Sequence, residues 1–453
     1  MKYKFHIEDI SASVIVFFVA VPLCLGIALA SGTPPISGLI SGIIGGIVVG
    51  IISNSALGVS GPAAGLVAIC LSAISTLGNL NDFFLSVVLA GILQIIFGII
   101  RLGKLSYYFP SSVITGMLTS IGIIIILKQL PHAFGYDKDF EGDIAFNQPD
   151  EQNTFTELIN FWRYIHPAST IIFFSGLIVL SLWQKLLSKI FPKFTRIVQY
   201  PLAIVIFGVL IVMLLNSIYP GSISKEHLVY IPPFNELSSS IKIVEWNNIA
   251  SKNVWYFAFI IAFVASIETL LCVEAADNLD PQKRITNRNR ELVAQGIGNF
   301  LSGLIGGLPI TQVIVRSSTN ISFNAKTKLS TILHGVWLLL SVVFLNDLLN
   351  LIPLASLATI LIIVGFNLSK PSTFSLMYKK GKTQFIPFVI TIIAILFSDL
   401  LIGTLIGLVS SIIIQFYNAS KNSIKVIKNE NNNLIIHIDD SASFMNKSQL
   451  INY

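Results

Sequence analysis

Residues 53–62 read SNSALGVSGP and residues 306–309 read GGLP, and each motif interrupts a long apolar stretch of the chain. The apolar segments that follow, 63–76 and 311–323, are shorter than the ~17 residues that a helix needs to cross a bilayer. Broken backbone at membrane depth is tolerated where it lines a protein interior. The two segments are therefore predicted to be half-helices whose N-termini lie inside the protein.

The two breaks belong to a repeating pattern. Pro62 and Pro309 are separated by almost the same number of positions as Pro110 and Pro353, each of which opens a later apolar segment. This spacing predicts two halves of seven segments, and because seven is odd the second half enters the membrane inverted. Inverted repeats with discontinuous helices are typical of secondary transporters. The alternative is a chance coincidence of two helix kinks.

The composition excludes a soluble protein. Of the 453 residues, 53% are hydrophobic and 11% are charged, against about 25% charged in ordinary soluble domains, and the mean hydropathy is +0.78. The expected surroundings are membrane lipid. We predict an all-α integral membrane fold of fourteen transmembrane segments, a 7+7 inverted repeat whose third and tenth segments are half-helices. The predicted segments are 11–31, 37–52, 62–77, 82–101, 110–130, 168–190, 199–217, 253–276, 290–306, 309–323, 329–346, 351–368, 384–398 and 400–417.

The placement of Lys and Arg predicts the orientation. With an even number of segments and the N-terminus inside, most of the 29 Lys and Arg residues fall on the cytoplasmic side, as the positive-inside rule requires. Both termini are therefore predicted to be cytoplasmic, and the acidic stretch 130–167 is predicted to be external. The net charge of +6 then reports topology, and nucleic acid is not expected as a partner.

The N-termini of the two half-helices are predicted to bind a small inorganic anion. Unpaired backbone N–H groups and the positive end of the helix dipole favour an anion there without a cationic side chain. Small residues let the backbone approach the ion, and hydroxyl or amide side chains add donors. The candidates are Gly61, Ala63, Ala64 and Gly65 at the first half-helix, and Ile310, Thr311, Gln312 and Val313 at the second.

Glu268 lies near the middle of the predicted segment 253–276, and Arg316 lies well inside the predicted segment 309–323. An ionisable group at membrane depth costs at least ~2.5 kcal/mol, so it usually lines a cavity or pairs with another group. Arg316 is predicted to add positive potential behind the anion, and Glu268 to bind a proton or a cation. The alternative is a fixed structural ion pair between the two.

No cofactor and no metal is expected. The three cysteines, Cys24, Cys70 and Cys272, all lie within apolar runs, which is typical of packing residues. The segments contain no His/Asp cluster and no spacing of a nucleophile and a base, so an intramembrane enzyme is disfavoured. Transport is the expected activity.

Several motifs resemble the sulfate permease (SulP) family of inorganic anion transporters. They occur in the family's order: PLCLGIALASG at 22–32, VSGPAAG at 59–65, SIETLL at 266–271 with AD at 276–277, and GGLP at 306–309 followed by Arg316. The likeness covers nearly all of residues 1–420. It implies a core domain of segments 1–4 and 8–11 that moves against a gate domain of segments 5–7 and 12–14.

The resemblance also implies a domain division. Residues 1–417 form the transmembrane domain, with the core at about 11–101 and 253–346 and the gate at about 110–217 and 351–417. The tail, 418–453, resembles the start of the cytoplasmic STAS domain through a strand-like run at 433–438 and the residues 441–447. Family members are often dimers, so a homodimer is a possible assembly.

The resemblance implies a choice of couplings. Family members carry sulfate, bicarbonate, chloride or dicarboxylates by proton symport, sodium symport, exchange or channel-like leak. Glu268 matches the acidic coupling position, Arg316 the basic position of the tenth segment, and Cys272 a position where sodium-coupled bicarbonate relatives have a Thr ligand. Leu23 stands where many relatives have Gln. Because sodium prefers oxygen ligands, Cys272 favours a proton over sodium as the coupling ion. The alternatives are sodium coupling, exchange, channel-like conductance and a nucleobase permease.

Overall fold

A computed structural model gives a mostly helical protein. It describes residues 6–104, 109–137, 154–190, 195, 200–230, 233, 243–344, 349–398, 400–422, 424–428 and 434–438.

The helices in chain order, with their bounds, are α1 (Ile7–Ala30), α2 (Pro35–Ile52, with a π-helical turn at Gly45–Val49), α3 (Val67–Leu77), α4 (Leu80–Ile99), α5 (Ser111–Ala133), α6 (Thr154–Asn160), α7 (Pro167–Leu182), α8 (Tyr200–Ile218), α9 (Lys252–Leu279), α10 (Arg288–Leu304), α11 (Ile314–Ser322), α12 (Leu329–Phe344), α13 (Leu354–Leu368), α14 (Pro371–Lys379), α15 (Lys382–Phe397) and α16 (Leu400–Asn422). Helical turns also occur at Ala64–Leu66, Phe161–Tyr164, Trp183–Leu187, Ser188–Ile190 and Lys225–His227. The strands are β1 (Ser60–Pro62), β2 (Ile310–Gln312), β3 (Ile424–Lys428) and β4 (Leu434–Ile438).

Every predicted segment contains a helix. Among the described residues, seven helices are long and apolar enough to cross a membrane, and a further pair, Leu158–Tyr164 with Pro167–Leu182, passes the same test but bends by 112°. The helices Leu329–Phe344, Lys382–Phe397 and Ile402–Tyr417 are apolar but shorter. The protein is thus an integral membrane protein, and its exact number of spans and 7+7 arrangement stay predictions.

The all-α prediction is wrong at one place within the predicted membrane domain. Immediately before each half-helix the chain forms a three-residue strand, and β1 and β2 pair antiparallel with each other. At the C-terminal end, β3 and β4 form a second antiparallel pair, with Ile424 opposite Ile438. The predicted strand at 433–438 is thereby confirmed for Leu434–Ile438, whereas 441–447 lies outside the described residues.

The described chain forms two compact units, one from 1–108 with 121–369 and one from 109–120 with 370–453. Within the second unit, α15 and α16 pack closely because Gly403 and Gly407 carry no side chain. A β-carbon on Gly403 would lie 2.5 Å from the backbone nitrogen of Ile395. The predicted division into core and gate is a different partition, and it stays a prediction.

Within the first unit, glycines bring α2 against its neighbours. A β-carbon on Gly46 would lie 2.5 Å from the Cα of Gly335 in α12, and one on Gly38 would overlap the carbonyl of Cys24 in α1. This approach agrees with the close-packing interpretation of small-residue repeats in membrane helices. It places α1, α2 and α12 around the strand pair.

One end of this unit is joined by polar contacts. Asp9, near the start of α1, accepts hydrogen bonds from the backbone nitrogens of Lys326 (2.7 Å) and Thr327 (3.0 Å). Arg284 donates to the carbonyl of Lys326 (2.8 Å) and pairs with Asp280 (2.6 Å). The loop after α9 and the loop before α12 are thereby fixed to the start of α1.

Candidate functional site

The strand pair brings the two sequence breaks together. Gly61 lies opposite Thr311, and Ser60 lies opposite Gln312. The ladder extends one residue on either side, through Val313 N–H to Val59 O (2.9 Å) and Ala63 N–H to Pro309 O (3.2 Å). We call the predicted anion-binding residues at the first half-helix (Gly61, Ala63, Ala64 and Gly65) the first cradle, and those at the second (Ile310, Thr311, Gln312 and Val313) the second cradle. The two cradles are therefore neighbours in space.

Each strand leads into a half-helix. After β1 the chain makes the short turn Ala64–Leu66 and then α3, and after β2 it enters α11 directly at Ile314. No side chain caps these starts: Ala63, Leu66 and Val313 make no capping hydrogen bond. The first N–H groups of a helix have no partner within it, so these ends can bind an anion.

The candidate residues differ in access. Gly65 is exposed and Ala64 and Val313 are half-buried, whereas Thr311 and Gln312 are completely buried. Because Ala63 and Val313 already donate their N–H groups to the ladder, they cannot offer them to a ligand. The backbone donors open to an anion are therefore those of the first turns that follow, beginning at Ala64 and Ile314.

Arg316 lies behind the strand pair. Its side chain is 1% exposed, and Nη2 donates to the Sγ of Cys24 at 3.3 Å. A β-carbon on Gly61 would lie 2.2 Å from Nη1, so the guanidinium packs directly against β1. Among the described residues, Nη1 has no hydrogen-bond acceptor. A buried cationic donor of this kind is costly, and an anion bound nearby would stabilise it.

Glu268 lies at the start of the first half-helix. The residue is 7% exposed, and a β-carbon on Gly65 would lie 3.1 to 3.2 Å from its carboxyl atoms. Glu268 and Arg316 thus contact two different residues of the first cradle, Gly65 and Gly61 respectively. The structure brings together both charged residues that the sequence analysis singled out.

Gln312 is directed toward α9. Its backbone N–H and its side-chain Nε2 make long hydrogen bonds of 3.4 Å to the Oγ1 of Thr269 and the carbonyl of Cys272. A β-carbon on Gly58 would lie 2.5 Å from the Gln312 amide. Gln312 therefore ties β2 to the helix that carries Glu268.

The sequence analysis missed the residues that hold β2 in place. Asn299 of α10 accepts from Ile310 N–H (2.5 Å) and donates to its carbonyl (2.9 Å) and to the Oε1 of Gln94 (2.5 Å). Ser317 accepts from Val59 N–H (2.9 Å) and donates to Val313 O (2.7 Å). The available signal was the presence of the amide side chains of Gln94 and Asn299 within the predicted segments 82–101 and 290–306.

A sequence profile of the Sulfate permease family matches residues 7–394. The chain belongs to this family. It is 27% identical over 406 residues to YvdB of Bacillus subtilis (strain 168), named as a candidate sulfate transporter, and the match covers 88% of this chain and 72% of YvdB. It is 24% identical over 371 residues to the bicarbonate transporter BicA of Picosynechococcus sp., and that match covers 80% of this chain and 61% of BicA.

Two solved structures have a fold similar to this one. The transmembrane domain of a cyanobacterium bicarbonate transporter BicA superimposes with a TM-score of 0.59 at 23% identity, covering 89% of this chain and 97% of that chain. The structure of SLC26A9 gives a TM-score of 0.65 at 16% identity, covering 98% and 70%. The family resemblance inferred from the motifs is confirmed.

Proposed function

We propose that this sulfate permease family member is a secondary active transporter of a small inorganic oxyanion, bicarbonate or sulfate, coupled to protons. The observation that carries the proposal is the meeting of two uncapped half-helix starts at the β1–β2 pair, with the Arg316 guanidinium buried behind it. Backbone N–H groups, two helix dipoles and one cation converge there, an arrangement that favours an anion.

Glu268 is proposed to be the proton site. Its carboxyl group lies against Gly65, at the positive end of the first half-helix. An ionised carboxylate would occupy this end and repel an incoming anion, whereas a protonated one would not. Binding of the proton and binding of the anion would then support each other, as symport requires.

Sodium coupling is the alternative. The family resemblance places Cys272 where sodium-coupled bicarbonate relatives have a Thr ligand. In this chain the Cys272 side chain is a buried thiol, and the Cys272 backbone carbonyl accepts a hydrogen bond from Gln312. Sulfur is a poor ligand for a hard cation, which favours the proton. Exchange and channel-like conductance would use the same anion site without a coupling cation. An exchanger moves one anion only in return for another, whereas a channel gives passive flux.

Transport is proposed to follow an elevator-like shift of the core domain against the gate domain. The hydrogen bonds of Asp9 and Arg284 to the loop before α12 support movement of the core as one body. The fourteen-span 7+7 arrangement, the cytoplasmic position of both termini, contact with membrane lipid and a homodimeric assembly belong to the same proposal.

The test is uptake of radiolabelled bicarbonate and sulfate into proteoliposomes under an inward proton gradient or an inward sodium gradient. Proton coupling predicts accumulation of one anion above equilibrium with the proton gradient alone. In Glu268→Gln, which resembles the protonated residue, accumulation should be lost while exchange of the anion across the membrane continues.

Glu274→Gln is the matched control, because Glu274 lies on the same helix but pairs with Arg288. It should accumulate the anion as wild type does. Accumulation driven by the sodium gradient would show that the coupling ion is sodium and not the proton. Passive flux that ignores both gradients and is unchanged in Glu268→Gln would refute coupling and leave a channel.

A further inference from the structure

Three of the six histidines gather around one carboxylate, away from the strand pair. Asp137, which follows α5, contacts the Nδ1 of His132 through Oδ1 and the Nδ1 of His227 through Oδ2, both at 2.7 Å. The Asp137 side chain is 2% exposed. Its two oxygens therefore join the end of α5 to the short helical turn Lys225–His227.

A third histidine extends this cluster to α7. The ring of His166 stacks on that of His227 with the centroids 4.2 Å apart. His166 is the N-cap of α7, and its Nδ1 accepts from Ser169 N–H (3.4 Å). Its backbone N–H donates to Phe134 O (2.8 Å). Asp137 and the two stacked rings thus hold three chain segments together.

The segments joined by the histidine cluster also contact α8 and the start of α13. Val229, two residues after His227, donates its N–H to the carbonyl of Ile352 (2.9 Å), just before α13. Ala168 and Ile172 of α7 pack with Val212 and Ala355 in one apolar cluster. A change in the histidine cluster therefore reaches the ends of α5, α7 and α13.

We propose that Asp137, His132, His166 and His227 form an acid-released clasp on the predicted external side of the protein. The clasp is closed when His166 is neutral, because its Nδ1 then accepts the Ser169 N–H (3.4 Å), with the Ser169 Oγ 3.1 Å from the same nitrogen, and its ring lies on that of His227. Protonation of His166 turns this acceptor into a donor and places a cation against the neighbouring ring. The three segments then separate.

The electrostatics of the cluster support this direction. Burial raises the pKa of Asp137, but the hydrogen bonds from His132 and His227 outweigh it and hold the pKa below its ordinary value, so the carboxylate stays ionised. Burial and the neighbouring His227 lower the pKa of His166, against the opposite effects of Asp137 and a hydrogen bond to the Ser222 backbone.

The sign of the pH effect follows from His166. A group whose pKa is lowered in the closed state contributes stability that is complete above its ordinary pKa, about 6.5, and is lost as the pH falls below it. Acid therefore opens the clasp. Asp137 acts in the same direction but only at lower pH, because carboxylates ordinarily protonate near pH 4.

Protons reach the cluster through a cavity of about 300 Å3. Besides Asp137, His166 and His227, the titratable groups that line it are Tyr136, Tyr164 and Glu226. Lys128 lies one helical turn before His132, and Lys225 begins the helical turn that holds His227.

Hydrogen exchange of the purified full chain in lipid nanodiscs tests the clasp without reference to transport. After correction for the intrinsic pH dependence of exchange, the amides of 166–170 and 227–229 should lose protection between pH 7.5 and 5.5. His166→Asn keeps a capping oxygen for Ser169 N–H but does not titrate. It should keep these amides protected at pH 5.5.

Two further variants complete the test. His6→Gln removes a histidine at the N-cap of α1 that makes no capping hydrogen bond, and it should respond to pH as wild type does. His227→Gln should reduce protection at both pH values. An unchanged pH response in His166→Asn, or no response in wild type, would overturn the proposal.

Discussion

The two half-helix starts each follow one strand of the β1–β2 pair, but they differ in chemistry. The first is built from small residues, and its end at Ala64 and Gly65 is open to solvent. The second begins with the buried side chains of Thr311 and Gln312. It is held by hydrogen bonds from Ile310 N–H to Asn299 and from Gln312 N–H to Thr269. One end is shaped by missing side chains, and the other by a polar network.

The two charged side chains, Glu268 and Arg316, are also distributed unequally between the two cradles. Glu268 comes from α9 and Arg316 from the second half-helix, yet both contact the first cradle, at Gly65 and Gly61. The neutral network supports the second cradle. The comparison suggests that the first cradle decides the charge of the site and that the second fixes its shape.

Gly61→Ala is expected to break this arrangement most strongly. The new methyl group would lie 2.2 Å from Nη1 of Arg316, and overpacking of a buried site costs about 1–3 kcal/mol. The guanidinium would have to leave the strand pair, so anion binding should weaken about tenfold or more, since 1.4 kcal/mol is a factor of ten. Thermal unfolding in detergent and equilibrium binding of labelled anion measure the two effects.

Arg316→Ala provides the matched background for this prediction. If the clash causes the loss, Gly61→Ala should cost little further stability once the guanidinium is absent, and the double-mutant cycle should be non-additive. Additive losses of stability would show that Gly61 is needed for another reason.

Much of this site could be predicted from the sequence. The short apolar segments after 53–62 and 306–309 indicated half-helices, and Glu268 and Arg316 were visible as charges inside apolar segments. These signals are local, because they depend on length, on Gly and Pro, and on the cost of a charge at membrane depth.

The rest depended on contacts between distant parts of the chain. Strands of three residues have no detectable period, so the pairing of β1 with β2 could not be predicted from either alone. The hydrogen bond from Arg316 to Cys24 joins α11 to α1, which are far apart in the chain. His132, His166 and His227 come together only through the packing of three segments.

Asn299→Ala tests the neutral network of the second cradle, and its expected effect on anion binding is smaller than that of Gly61→Ala. The change leaves both the N–H and the carbonyl of Ile310 without their side-chain partner, which costs about 1–3 kcal/mol for buried groups. The unfolding midpoint should fall while the preference for a proton gradient in uptake is retained. Loss of coupling with unchanged stability would assign Asn299 a part in proton binding.

Gly65→Ala is expected to have the smallest effect and to distinguish the two cradles most finely. The added β-carbon would lie 3.1 to 3.2 Å from the Glu268 carboxyl atoms, a contact that a shift of a few tenths of an ångström relieves. Because Gly65 is exposed, stability should change by only about 0.5 kcal/mol, whereas anion affinity should fall by a factor of about two to three. In a Glu268→Ala background the carboxyl group is absent, so the affinity loss should vanish if the methyl group acts through Glu268. A loss that persists there would mean that the methyl group meets the anion itself, and the first cradle would then bind its ligand at Gly65.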